Sequence, residues 1–167
     1  YEPEGRALTE TISSTADAGA DERPAGVAID MPEYGTYDWF VHTIALIRQR
    51  FFTLKDFSSQ GRAYFSEDYD FDPAAIEKNL AKFPDLKTWL PELADRFETM
   101  ASFTEPEIEE VVKAFTEEKG TKLGVIMNGA RTLLTGVAVG PSMLSVFETL
   151  GKERSVLRLR SQIVWNT

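Results

Sequence analysis

The chain has no cysteine in its 167 residues. That excludes a disulfide framework and any thiolate metal site, and it suits a reducing cytoplasm. Histidine occurs once, at His42. It reads as a packing or surface-capping residue on the first long helix rather than a base. Serine or cysteine nucleophile triads lack their partner set. No glycine-rich phosphate loop is present. No apolar run approaches the ~18 residues of a membrane span, and no signal-peptide pattern opens the chain. Convincing strand alternation is also missing. What remains is a non-catalytic, all-α protein without a metal site, able to bury a core in one domain or two small ones. It begins at Tyr1 rather than Met, as an excised C-terminal piece of a longer protein would.

Basic residues are outnumbered, 18 against 27 acids, for a net charge of −9. The excess is uneven. Residues 1–40 carry two arginines and nine acids, and residues 64–118 five bases and fifteen acids. Residues 41–63 are net +3, and residues 119–167 hold seven bases and two acids. A basic surface on an acidic body still steers toward phosphates, because local potential counts within a Debye length of ~8–10 Å. Ordinary solvated helix faces would give the same counts. The acid pairs Glu109–Glu110 and Glu117–Glu118 read as such a face.

Residues 1–37 show little periodicity, and Glu10–Gly26 reads as a loop or mobile segment. From Asp38 the pattern is helical, with Phe40, Ile44, Ile47 and Phe51 on one face and Trp39 and Leu46 flanking it. Leu54–Phe65 is expected as a second helix and Tyr69–Asp72 as a turn. Asp72 then caps Ala74–Phe83, with Pro73 at the first helical position. Pro84–Ala101 places Leu86, Leu90, Leu93 and Phe97 on one face. Pro91 either kinks that helix or opens a new one near Trp89. Thr104 and Glu107 form a capping box for Glu105–Glu118, whose core stripe is Ile108, Val111, Val112 and Phe115. Gly120 ends it.

Asn128–Arg154 is the most informative stretch. Ala130–Thr135 is a helix end closed by Gly136 as a C-cap. Val137–Gly140 crosses over, and Pro141 opens the next helix. Met143, Val146, Phe147 and Leu150 recur on one face. Gly151 stops that helix, and Lys152–Arg160 begins a basic one.

This stretch resembles the C-terminal part of the anticodon-binding domain of bacterial-type glutamyl-tRNA synthetases. That family shows an Arg-x-x-(L/I)-T-G turn, a loop closed by Pro, then L-G-K-E-R. Here these are Arg131–Gly136, Pro141 and Leu150–Arg154. Two further segments match in order: Ala45–Asp70, with Arg50, Phe51, Thr53–Phe57, Tyr64–Phe65 and Glu67–Tyr69, and Phe115–Gly124. The resemblance covers roughly residues 41–160; residues 1–40 show no identifiable match.

The resemblance implies an all-α fold in two helical subdomains, the α-helix cage, divided near Asp72 into residues 41–72 and 73–167. Residues 1–40 form an acidic leading segment or linker. Carried over position by position, Arg50, Arg131, Gly140, Pro141 and Met143 fall on family positions that contact the anticodon. In the family, arginine at the position of Arg50 goes with glutamate-specific enzymes. Gly140 stands where a larger residue, often Thr, is usual, and Asn128–Ala130 replaces Q-P-L. Those departures leave the loop with backbone contacts. The plain alternatives are a salt bridge for Arg50 and a core contact for Met143. The implied function is the tRNA-reading part of a glutamate–tRNA ligase, a cytoplasmic monomer away from membranes. The partner is glutamate tRNA. The H-I-G-H-like and K-M-S-K-S-like signatures are missing, so ATP and Mg belong to the full-length enzyme and none is expected here. Competing readings are a helical protein-interaction adaptor with the acidic N-terminus as its tail, and a fold-related domain recruited for regulation.

Overall fold

The computed structural model describes residues 33–165, and every regular element among them is helical. The expected loop at Glu10–Gly26 lies outside the described residues. The first helix, α1, runs Tyr37–Ile47 from a Thr36 cap whose hydroxyl accepts from the Trp39 amide. Its buried face is Trp39, Thr43 and Ile47. The face expected on Phe40 and Ile44 is therefore turned by about one residue, and Phe40 stays 48% exposed. The cause is polar: the Trp39 indole N–H donates to the Thr149 carbonyl at 2.8 Å. Burying Trp39 there satisfies its one donor, and that sets the rotation of α1.

The expected helix Leu54–Phe65 is two short helices, α2 (Leu54–Ser58) and α3 (Arg62–Phe65). The chain folds back tightly between them. A Cβ on Gly61 would lie 2.6 Å from the Phe57 carbonyl oxygen, so one continuous helix gives way to a glycine turn. Asp72 then caps α4 (Pro73–Ile76), its carboxylate accepting from the Ala74 amide at 3.0 Å. The following turn, Glu77–Ala81, is widened to π geometry.

Pro91 does not open a new helix: α5 is continuous over Leu86–Thr99 with Pro91 inside it. Leu86, Leu90, Leu93 and Phe97 on its face are all fully buried, and that packing outweighs one missing hydrogen bond. The capping box of Thr104 and Glu107 starts α6 (Glu105–Glu118). Gly120, at φ +61°, ends the turn behind it. Next comes α7 (Leu123–Thr135), closed by Gly136 at φ +75°. The last long element, α8 (Met143–Leu159), breaks sharply at Gly151 (φ 80°, ψ 164°). The chain closes on a 3₁₀ turn, Ile163–Trp165. Pro141 stands before α8 rather than inside it, because Ser142 holds the non-helical cap conformation at ψ 135°.

Helices α5, α6 and α7 pack around α8. Phe97 sits in edge-to-face contact with Phe147 (5.1 Å) and Phe103 (5.2 Å). Ile47 and Tyr64 join the same buried cluster from the first half of the chain.

Candidate nucleic-acid interface

The end of α7 carries the site, and its stop is over-determined. A helix leaves its last carbonyls without intrahelical partners. Here the Leu133 carbonyl accepts from the Tyr69 hydroxyl at 2.6 Å, and the Leu134 carbonyl from Arg158 at 2.6 Å. Past the helix, the Gly136 carbonyl accepts from the Asp72 amide at 2.7 Å. The strand of chain at 70–72 lies so close that a Cβ on Gly136 would meet the Asp70 carbonyl oxygen at 2.0 Å. The loop 137–142 therefore leaves α7 in one direction only.

Arg154 and Arg158, on α8 beyond the Gly151 break, hold the opposite wall. Arg158 is 3% exposed. It donates to the Ala63 and Ser66 carbonyls and to both oxygens of Glu67. Arg154 donates to Glu67 at 2.6 Å and to the Tyr64 carbonyl at 3.0 Å. Each guanidinium also lies over a tyrosine ring, Arg154 on Tyr34 and Arg158 on Tyr69. The arginine of the G-K-E-R motif is thus a structural clamp on α3.

Between these walls lie Tyr64, Arg131 and Gly140. A Cβ built on Gly140 would fall 2.8 Å from Arg131 Nη1 and 4.0 Å from the Tyr64 hydroxyl oxygen. Gly140 has no positive φ, unlike Gly35, Gly120, Gly136 and Gly151. Its value is room: the Arg131 guanidinium lies against it. Arg131 is half-buried, and its Nη1 is closed off from solvent with no hydrogen-bond partner among the described residues. Burial lowers the Arg131 pKa; the nearby Tyr64 opposes that shift and the like charge of Arg50 adds to it. Burial pushes the Tyr64 phenol up to about 12, against the pull of Arg131 and Arg158. The phenol therefore stays neutral and the guanidinium stays charged at neutral pH. Arg131 thus feels the like charge of Arg50 and keeps a donor free, an arrangement suited to taking acceptors from a ligand.

The other predicted residues divide. Arg50 is exposed in the turn after α1 and makes no ion pair among the described residues. Pro141 is buried. Met143 is 5% exposed and packs in the α8 core stripe, so its side chain supports the loop rather than standing out from it. The sequence reading missed Tyr64 as a wall of the site, and Arg158 with Glu67 as its support. An acid at Glu67 facing the basic run Lys152–Arg160 was the available signal.

Pairing also sorts the basic segments. In residues 119–167, Lys119 pairs with Glu92, Arg154 and Arg158 with Glu67, and Arg160 with Asp95 (2.6 Å) and Glu98 (2.5 Å). Lys152 donates to the Met100 carbonyl. Arg48, Arg50 and Lys55 are exposed and have no such partner among the described residues. In these two segments the exposed cations without an ion pair among the described residues are therefore Arg48, Arg50, Lys55 and Lys122, beside the half-buried Arg131, while Arg62 is taken by Asp68. Among the described residues no three His, Asp or Glu side chains are grouped to hold a metal. No helix among them is long and apolar enough to cross a membrane. Planar donors beside a glycine loop can recognise; they hold no acid–base pair for chemistry.

Known proteins resemble this chain. The chain is 49% identical over 123 residues to a glutamate–tRNA ligase of Desulfotalea psychrophila, covering 74% of this chain and 25% of that protein. It is 45% identical over 120 residues to glutamate–tRNA ligase 2 of Koribacter versatilis, again 25% of its length. The crystal structure of a glutamate tRNA ligase from Elizabethkingia meningosepticum superposes with a TM-score of 0.66 at 25% identity, over 79% of this chain and 25% of that one. The chain spans about a quarter of the length of the relatives it matches. The model of the anticodon binding domain matches residues 20–163. With that match over most of the chain and the all-helical fold, this chain belongs to the anticodon binding domain family found in glutamate–tRNA ligases.

Proposed function

We propose that the chain reads the anticodon loop of glutamate tRNA, so that an upstream catalytic domain attaches glutamate in an ATP-dependent reaction. Residues 41–72 and 73–167 serve as its two helical subdomains, acting in a monomeric cytoplasmic enzyme. The observation that supports this is the unpaired, half-buried Arg131 guanidinium against Gly140, near Arg50, in the fold of an anticodon-binding domain. ATP and magnesium are assigned to the catalytic part of the full-length enzyme.

Arg50 is assigned the third anticodon base. Glutamate tRNAs carry cytosine there and glutamine tRNAs guanine. The pairing edge of cytosine offers acceptors at O2 and N3, which suit a guanidinium. Guanine presents donors at N1 and N2, so the arginine faces donor against donor. A buried unpaired donor costs ~1–3 kcal/mol, about tenfold to a hundredfold in discrimination. Arg50→Gln in the full-length enzyme is expected to raise charging of glutamine tRNA relative to glutamate tRNA, read as the ratio of kcat/KM. A ratio that stays within about twofold removes the assignment. For the chain itself, a gel shift with glutamate tRNA should show weak binding whose log affinity falls with log salt. Undetectable binding at low salt, while the parent binds, excludes the basic segment as the contact surface.

A further inference from the structure

Two adjacent phenylalanines follow Arg50 and do opposite things. Phe51 turns inward, edge-on to Phe57 at 5.0 Å and against Gly61. Phe52 is 90% exposed, and Leu54 beside it 87%. Full exposure of an aromatic ring is ordinarily found on mobile chain, yet here the backbone is pinned. One carboxylate oxygen of Asp56 accepts from the Phe52 amide at 2.9 Å and the Thr53 amide at 2.8 Å. The Thr53 hydroxyl accepts in return from the Asp56 amide, completing a capping box. Those amides also hold the Asp56 carboxyl below its ordinary range, with burial opposing. The ring is thus presented to solvent on a fixed stem.

Its surroundings select the occupant. Asp56 is the one acid in residues 41–63, and its charge is turned to backbone amides. Arg48, Arg50 and Lys55, all within four residues of Phe52 in the chain, are exposed and unpaired among the described residues. An exposed apolar ring on a segment carrying free cations suits a ligand with a flat π surface on an anionic backbone. Unpaired bases are held in this way, stacked on aromatic side chains while cations take the phosphates. We infer that Phe52 is a stacking platform for an unpaired base of the RNA loop, set beside Arg50 by the Thr53–Asp56 cap. The inference rests on the anticodon-binding reading and adds to it a contact residue outside the Arg131–Gly140 site.

The test uses the whole chain and two probes, an RNA hairpin carrying the glutamate anticodon loop and a fully paired RNA duplex of equal length. Phe52→Ala is expected to weaken hairpin binding about tenfold without moving the melting temperature, and to leave duplex binding unchanged. Phe52→Tyr should restore hairpin affinity. Phe52→Trp should gain a fluorescence signal that the hairpin quenches and the duplex does not. Unchanged hairpin binding by Phe52→Ala overturns the inference and leaves the ring to a protein contact. Equal loss on both probes also overturns it, making the ring a support for the cations. If the wild-type chain fails to prefer the hairpin over the duplex, the anticodon-binding reading itself falls, and the platform with it.

Discussion

Arg158 holds both oxygens of Glu67, through Nε at 3.0 Å and Nη2 at 2.9 Å. The same guanidinium donates to carbonyls of Ala63, Ser66 and Leu134. One side chain on α8 therefore fastens α3, the turn after it and the end of α7. Arg158 is buried but Glu67 is half exposed, so removing Arg158 leaves carbonyls short of a donor rather than a buried charge without its partner. Arg158→Met is expected to destabilise the chain by about 1–3 kcal/mol, measured by urea unfolding. A loss under about 1 kcal/mol, the range of an exposed pair, would mean the clamp is dispensable.

Glu67 makes the clamp pH-dependent. Burial pushes its carboxyl up, but the hydrogen bonds from Arg158 and Arg154 outweigh this and hold it below the usual range. A carboxyl whose folded pKa is depressed contributes stability above its unfolded value of about 4.3 and loses it as pH falls through the folded value. The urea midpoint should thus decline below about pH 4.3, and more gently in Glu67→Gln. Parallel pH curves for the two proteins would show that the Glu67 charge adds nothing.

Gly136 is the position least able to accept a side chain. Its φ of +75° disfavours L residues, and a Cβ would lie 2.0 Å from a backbone oxygen that has no freedom to swing away. The left-handed conformation costs ~1–3 kcal/mol by itself, and the clash adds to it. Gly136→Ala is expected to lower stability by at least ~3 kcal/mol. A melting temperature within about 4 °C of wild type would show that the 70–72 crossing yields easily.

Arg131 should separate stability from binding. Its Nη1 is a buried donor without a partner, which costs ~1–3 kcal/mol in the free protein. Arg131→Met keeps the stem and removes that donor, so stability should hold or rise while RNA affinity falls about tenfold or more. Gly140→Ala reaches the same site from outside. Its Cβ meets only the tip of a flexible side chain, so the melting temperature should stay put while binding weakens. Loss of stability in both variants would make Arg131 a structural residue.

Caps and stops were readable because they are local. Asp72, the Thr104–Glu107 box, Gly120, Gly136 and Gly151 each satisfy or interrupt backbone geometry within a few residues. The stripes of α5, α6 and α8 were readable for the same reason, through helical spacing. The rotation of α1 was not. Phe40 and Trp39 are neighbours of similar hydrophobicity, and the choice between them is made by a carbonyl 110 residues away at Thr149. Likewise the break at Gly61 depends on the close approach of Phe57.

The candidate site divides along the same line. Arginines at 50 and 131, and the glycine–proline loop, stand out in the sequence as residue types that recognise RNA. Which cations remain available does not. Arg154, Arg158 and Arg160 look as suitable as Arg50 until the acids from α5 and the turn after α3 are brought against them. Residue type and helical period are properties of the chain alone, so the sequence determined the long helices, most of their caps and the family. Charge pairing is a distance between segments far apart in the chain, and so are the neighbours that close off one donor of Arg131 or leave the Phe52 ring bare. Only the tertiary structure decided them, because packing brings those segments together.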